Sequence, residues 1–190
     1  LSEGSAHSSF EHLLALIKLA DRENFPDINL HLITDGRDGP PQGAIKLIKQ
    51  LPPEKIASIS GRFFAMDRDF HWERTLKAYR AITGGSGATT TGIPEILNAY
   101  YRKNLNDEFI EPALFSPDKA IKDNDSVIFF NFREDSMRQL LMAFINPAEG
   151  EEHLIPRNLY LATFTPYSEK IKVPAAFPPD KIVNPLGKVL

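Results

Sequence analysis

Cysteine is missing altogether from the 190 residues, which removes disulfides, thiolate nucleophiles, zinc–thiolate centres and iron–sulfur clusters together. The absence accords with a reducing compartment, and a cytoplasmic location is the expectation. Nowhere do the roughly 20 consecutive apolar residues occur that cross a bilayer, and no charged segment leads into an apolar one at the start. No membrane partner is expected. Charge of one sign is not in excess either: 22 Lys and Arg against 25 Asp and Glu leave −3, a balance without polyelectrolyte attraction to nucleic acid. Missing too are a Gly-x-x-x-x-Gly-Lys-Ser/Thr loop, a Gly-x-Gly-x-x-Gly turn, a Gly-x-Ser-x-Gly elbow and His-Glu-x-x-His. His12, His31, His71 and His153 lack the spacing of metal ligands. The residues therefore supply no evident nucleophile and no complete metal site.

What is present is an alternation of short β-rich runs with amphipathic stretches at helical spacing, the pattern of βα units around a parallel sheet. With 42% hydrophobic residues, one α/β domain is expected. Helices are predicted over 9–22, from Pro40-Pro41 to before Pro52-Pro53 (core face Ala44, Ile45, Ile48), and over 71–83, 93–104 and 134–145. Trp72 is assigned to the core. Strands are predicted at Ile28–Thr34, Ile56–Ser60, Val127–Asn131 and Leu159–Phe164, with both faces of the Val127 strand buried. From Tyr167 onward proline becomes dense, so 168–185 reads as an irregular linker. The sequence opens at Leu1 rather than Met and closes on Gly187-Lys188-Val189-Leu190, which reads as the start of a helix. A part of a longer chain is expected.

Three predicted strands end alike: Thr34-Asp35-Gly36-Arg37-Asp38, Ser60-Gly61-Arg62 and Asn131-Phe132-Arg133 each place an arginine just past the strand. In open parallel sheets ligands bind outside the carboxyl ends of the strands. Arginines converging there, joined by Arg68, would make a cationic pocket on a net-acidic protein, and the guanidinium fork suits carboxylate and phosphate. The expected ligand is a small polyanion. A competing reading has Asp38, Asp67 and Asp69 tying the arginines into a structural ion-pair network. Gly36 and Gly61 serve either tight turns or close approach of backbone to a ligand. His7 precedes a helix N-terminus, a location suited to anions.

At these residues the sequence resembles cofactor-independent (2,3-bisphosphoglycerate-independent) phosphoglycerate mutases. The matching stretches are Leu1 to Ser8, Asp35-Gly36-Arg37-Asp38-Gly39-Pro40-Pro41, Ser58 to Asp69 with Trp72-Glu73-Arg74, Phe129 to Arg133 and Leu161 to Thr165. Pro174 to Pro179 and Asn184 to Leu190 also look like the family's return linker and following helix. The resemblance implies a three-layer α/β sandwich around a mainly parallel sheet, inserted as a phosphotransferase domain in an alkaline-phosphatase-superfamily enzyme. Residues 1–167 would be that domain, and 168–190 the linker and return into a phosphatase domain. It further implies interconversion of 3-phosphoglycerate and 2-phosphoglycerate through a phosphoserine of the phosphatase domain. Two divalent metals, usually manganese, assist there, with no 2,3-bisphosphoglycerate, and these residues alone would be inactive. By position His7, Arg37, Asp38, Arg62, Arg68 and Arg133 match the family's substrate contacts, Asp38 being the candidate general acid/base. No metal ligand is expected among these residues.

The sequence departs from the family pattern at Ser136, where a second arginine usually follows Asn-Phe-Arg, and at Ser5 and Ser9. Arg138 would stand about 140° round a helix from Arg133 and could not replace the missing arginine. Losing a buried bidentate contact would cost on the order of 2–5 kcal/mol. Two alternatives therefore stand beside the mutase reading: a non-catalytic module binding phosphoglycerate or a similar anion, and a divergent phosphosugar mutase.

Overall fold

The computed structural model describes residues 1–146 and 156–178. Its elements run α1 (Phe10–Arg22), β1 (Leu30–Thr34), α2 (Ala44–Ile48), β2 (Ile56–Gly61), α3 (Arg62–Ala65), α4 (Trp72–Thr83), α5 (Ile93–Arg102), β3 (Ala113–Leu114), β4 (Ser126–Phe129), α6 (Arg138–Ile145) and β5 (Tyr160–Thr163). Mainly parallel pairing holds. Strands β1 and β2 run parallel with β3 added antiparallel to β2, while β4 and β5 form a separate parallel pair. The mainly parallel sheet of the sequence reading is thus divided in two, and the two-residue β3 is too short to register as an apolar run.

Every residue of β2 is buried, as befits a central strand with helices over both faces. On one side Leu32 and Ile56 meet Leu13 and Ile17 of α1, and Ile59 meets Ala44 of α2 and Leu97 of α5. On the other, α4 and α6 enclose a cluster of Tyr79, Leu140, Leu141 and Phe144 with Phe129 of β4 and Tyr167, against which Ile33 packs. Edge-to-face contacts fix this cluster, with ring centroids 4.9 Å apart for Tyr79 and Phe144 and 5.8 Å for Phe129 and Phe144.

Helix ends follow local chemistry. Ser9 stands at the N-cap of α1 in extended conformation, with Glu11 in the first turn and Arg22 in the last. Asp67 organises the start of α4 by accepting the amides of Asp69 and His71 (3.1 and 3.0 Å). Gly84 ends the helix at φ +86°, a left-handed cap. Pro94 lies in the first turn of α5.

Four expectations need correction. Strand β4 is buried on one face only: Ile128 is 56% exposed, because the pair β4–β5 takes its apolar cover from α6 and α4 on a single side. Trp72 is half-buried and belongs to none of the apolar clusters; Thr75 and Ala78 take the inward positions of the first turns of α4. The core face of α2 needs an addition: Ala44 is buried and Ile45 and Ile48 pack half-buried against the core clusters, but Leu47 is buried as well. Helix α6 starts at Arg138, since residues 134–137 form a turn.

From Ser168 to Pro178 the chain runs without helix or strand, yet Ala175 bridges Thr163, and the amides of Ala176 and Phe177 reach the carbonyls of Thr163 and Phe164 (2.9 and 2.7 Å). His153, the end of the predicted linker at 179–185 and the helix start at 187–190 lie outside the described residues.

Candidate functional site

The ends of β1, β2 and β4 converge, and the segment before α1 is laid across them. Gly4 allows that approach: a Cβ there would overlap the carbonyl of Asp38. His7 follows, nearly buried. Its carbonyl accepts the amide of Phe132 just after β4 (2.9 Å), and its ring turns toward Arg62, the first residue after β2.

Arg62 is the centre of the cluster. Its Nη1 donates to Asp35 Oδ1 and Asp38 Oδ2, each at 2.5 Å, and its Nη2 lies 3.0 Å from His7 Nε2. His7 Nε2 is also 3.3 Å from Asp38 Oδ2. Asp35 holds the turn itself, because Oδ1 accepts the amides of Arg37 (3.3 Å) and Asp38 (3.1 Å) while Oδ2 accepts the Ser2 hydroxyl (2.6 Å). An aspartate bonding the backbone two and three residues on is the chemistry of an Asx turn. Burial opposes ionisation of Asp35, but Ser2, the Asp38 amide and Arg62 outweigh it and hold its carboxyl below the usual range. Burial would lower the guanidinium of Arg62, and its two carboxylates raise it instead. His7 is lowered, first by burial and then by the positive charges of Arg62 and Arg133, against a smaller upward pull from Asp38.

A second cluster adjoins the first. Asp135 Oδ2 accepts from Arg68 Nη1 (2.5 Å) and Arg133 Nη2 (2.9 Å), and Oδ1 takes the Ser136 amide (2.8 Å). The Ser136 hydroxyl stands 3.0 Å from His7 Nδ1. A continuous chain of contacts therefore joins Arg62, Asp38, His7, Ser136, Asp135, Arg68 and Arg133. Arg37 lies outside it; the side chain is exposed and approaches Glu108 Oε1 at 3.6 Å. His7, Asp38 and Arg62 line a small recess that Asn131 and Met66 complete.

Both readings of the arginines meet here. Arg62, Arg68 and Arg133 fall in one contact network while Arg37, expected beside them, stands apart, and each of the four faces a carboxylate: Asp35 and Asp38 for Arg62, Asp135 for Arg68 and Arg133, Glu108 for Arg37. Of the acids named from the sequence, Asp38 joins this network, whereas Asp67 serves α4 through His71 and Arg74. Asp35, Asp135 and Ser136 escaped the sequence reading as contact residues, although an aspartate opening the turn after β1 was a usable signal.

Gly36 lies within the turn that Asp35 holds, and both Gly36 and Gly61 also meet close backbone. Both lie against the 3-10 turn Asp107–Phe109: Gly36 has φ +68° and a Cβ there would sit 2.8 Å from the Glu108 amide nitrogen, while one on Gly61 would overlap the Glu108 carbonyl. That turn is pinned by Asp107, 1% exposed. Its carboxylate accepts the Ala44 amide (2.7 Å) and the Tyr101 hydroxyl (2.6 Å), and its carbonyl accepts Thr34 Oγ1 (2.8 Å).

Arg138 does not reach the site, donating instead to the Tyr167 carbonyl (2.5 Å) and Glu134 (3.1 Å). It fails to replace the missing arginine because it is engaged elsewhere, not because of a helical angle from Arg133. Among the described residues no group of three or more His, Cys, Asp or Glu side chains could hold a metal ion, and no helix is long and apolar enough to cross a membrane.

Comparison with known proteins matches residues 1–169 to the family described as BPG-independent PGAM N-terminus. Two relatives bear the name 2,3-bisphosphoglycerate-independent phosphoglycerate mutase. That of Moorella thermoacetica is 39% identical over 203 residues, and a form numbered 1 from Methanosarcina barkeri is 42% identical over 207. Each alignment takes in 100% of this chain and 40% of the relative, so the chain spans about two fifths of the length of these relatives. A crystal structure of Leishmania mexicana phosphoglycerate mutase at low cobalt concentration superposes with a TM-score of 0.85, covering 96% of this chain and 38% of that one at 24% identity. At that identity the likeness concerns the fold.

Proposed function

Since the chain belongs to the 2,3-bisphosphoglycerate-independent phosphoglycerate mutase family, we propose that its arginine cluster grips the glycerate in the interconversion of 3-phosphoglycerate and 2-phosphoglycerate. The observation that carries this reading is the contact chain from Arg62 through His7, Ser136 and Asp135 to Arg68 and Arg133, which links three guanidinium groups in one network. Arg62, Arg68 and Arg133 hold the carboxylate and phosphate, with Arg37 swinging in from the rim. Asp38, beside Arg62 and His7, exchanges a proton with the glycerate hydroxyls.

In this reading residues 1–167 are the phosphotransferase domain of a longer cytoplasmic isomerase, and 168–190 lead back into a phosphatase domain. A serine there carries the phosphoryl group. Two divalent metals, manganese in the first instance, would supply Lewis-acid assistance in that phosphatase domain. The contribution of this chain is positional: a glycerate held during its turn meets the phosphoserine in an intramolecular encounter. Ligand anions must displace Asp38 and Asp135 from the arginines, so binding exchanges one ion pair for another.

Arg62→Ala in the full-length protein tests the proposal. Mutase activity is expected to fall by roughly 10²–10³ in kcat/KM, the scale of a lost charged contact. Unchanged activity in a folded variant would remove Arg62 from the site. A parent protein with no turnover of 3-phosphoglycerate, yet whose Arg62 and Arg133 resonances shift on adding it, would favour the non-catalytic anion-binding module.

A further inference from the structure

Ser136 is 3% exposed, and its hydroxyl meets the ring of His7 at Nδ1, 3.0 Å away. The opposite nitrogen, Nε2, faces Arg62 Nη2 at 3.0 Å and Asp38 Oδ2 at 3.3 Å. A guanidinium has donors only, so the contact with Arg62 requires Nε2 to accept. The ring proton of neutral His7 then resides on Nδ1 and needs an acceptor there. A hydroxyl provides one, because it can accept as well as donate. An arginine in that place could not.

We propose that Ser136 is a positioning residue whose hydroxyl accepts the Nδ1 proton of His7, so that the titrating atom of the ring is Nε2, the one shared between Arg62 and Asp38. The ring then has a partner at each nitrogen in both protonation states, while Arg62 Nη2 gives up its acceptor on protonation and Nη1 keeps Asp35 and Asp38. Neutral His7 accepts from Arg62 at Nε2; when a proton arrives at Nε2, that nitrogen donates to Asp38 Oδ2, while Nδ1–H stays on Ser136 Oγ. The charged groups acting on the ring are Arg62 and Arg133, which oppose protonation, and Asp38 and Asp135, which favour it. His7 can thus store a proton within reach of Asp38 without rotating. The inference deepens the reading of this site, and rests on it only for what Nε2 and Asp38 would serve.

The test is two-bond ¹H–¹⁵N NMR of the histidine-labelled full-length protein, without substrate, with His7 assigned from the signal lost in His7→Gln. Wild type is expected to show Nδ1–H with an unprotonated Nε2 on the basic side of the titration. Ser136→Ala should lower the ratio of Nδ1–H to Nε2–H tautomer by roughly fivefold, the worth of one ordinary hydrogen bond, and Ser136→Thr should restore it. An Nε2–H tautomer in wild type, or a ratio untouched in a folded Ser136→Ala, overturns the proposal. Should Ser136→Ala fail to fold, the wild-type and Ser136→Thr spectra decide alone. None of these readings depends on phosphoglycerate turnover, so this inference and the mutase proposal fail separately.

Discussion

At the residue scale the site is a set of arginines each already engaged. Asp135 shows what that means for a ligand. Its Oδ2 sits between Arg68 and Arg133, the position an incoming phosphate oxygen would take. Partly exposed ion pairs of this kind are worth about 0.2–1 kcal/mol each, and removing two competing ones amounts to about a factor of ten in affinity. Asp135→Asn is therefore expected to tighten binding of inorganic phosphate or 3-phosphoglycerate roughly tenfold, measured by calorimetry. Weaker binding would show that Asp135 chiefly holds the two arginines in position. Such pairing was only half legible from the sequence. The motif Asn131-Phe132-Arg133 announces an arginine beyond a strand, but whether Asp135 turns toward it depends on the turn at 134–137, where a helix was expected. For the same reason Ser136 was legible as a departure and not as a partner of His7.

At the element scale the helices α1, α4 and α5 fall within a few residues of their predicted bounds; Gly84 and Pro94 mark ends by local chemistry, and Ser9 precedes α1 in extended conformation. Strand β3 and the turn Asp107–Phe109 were not legible. Two residues of strand carry no periodicity, and the turn's role depends on Asp107 meeting Thr34, Ala44 and Tyr101, which are remote from it in sequence. The turn nonetheless decides where two of the site's loops run, since Gly36 and Gly61 both abut Glu108. Gly61→Ala is expected to cost about 3 kcal/mol, the upper range of overpacking, because the obstacle is backbone on both sides. Urea unfolding measures it. The same variant should free Arg37 from Glu108, visible as a shifted Arg37 side-chain resonance.

For the whole molecule, the formal charge of −3 conceals a local arrangement that is close to neutral rather than strongly cationic. Four site arginines face four carboxylates. Attraction for an anion then arises through rearrangement more than through a standing field, and salt should slow its capture less than it would on an unpaired basic surface. The division of the strands into two sheets adds a second consequence. His7 belongs to neither sheet, yet its carbonyl receives the amides of Phe132 and Arg133 beyond β4, while its ring contacts Arg62 beyond β2.

That stitch makes the Phe132 amide a built-in clock for the cleft. Its deuterium uptake counts the openings that part the two strand ends, with no probe attached and no turnover required. Arg62→Ala removes the ring's hold on β2 while leaving the Phe132 bond itself intact. Exchange at Phe132 should then quicken by roughly tenfold, the factor for 1.4 kcal/mol of local opening, and amides in the core of α4 should keep their rates. Equal acceleration at both would mean that the molecule loosens as one body, and that the two sheets hold together without His7.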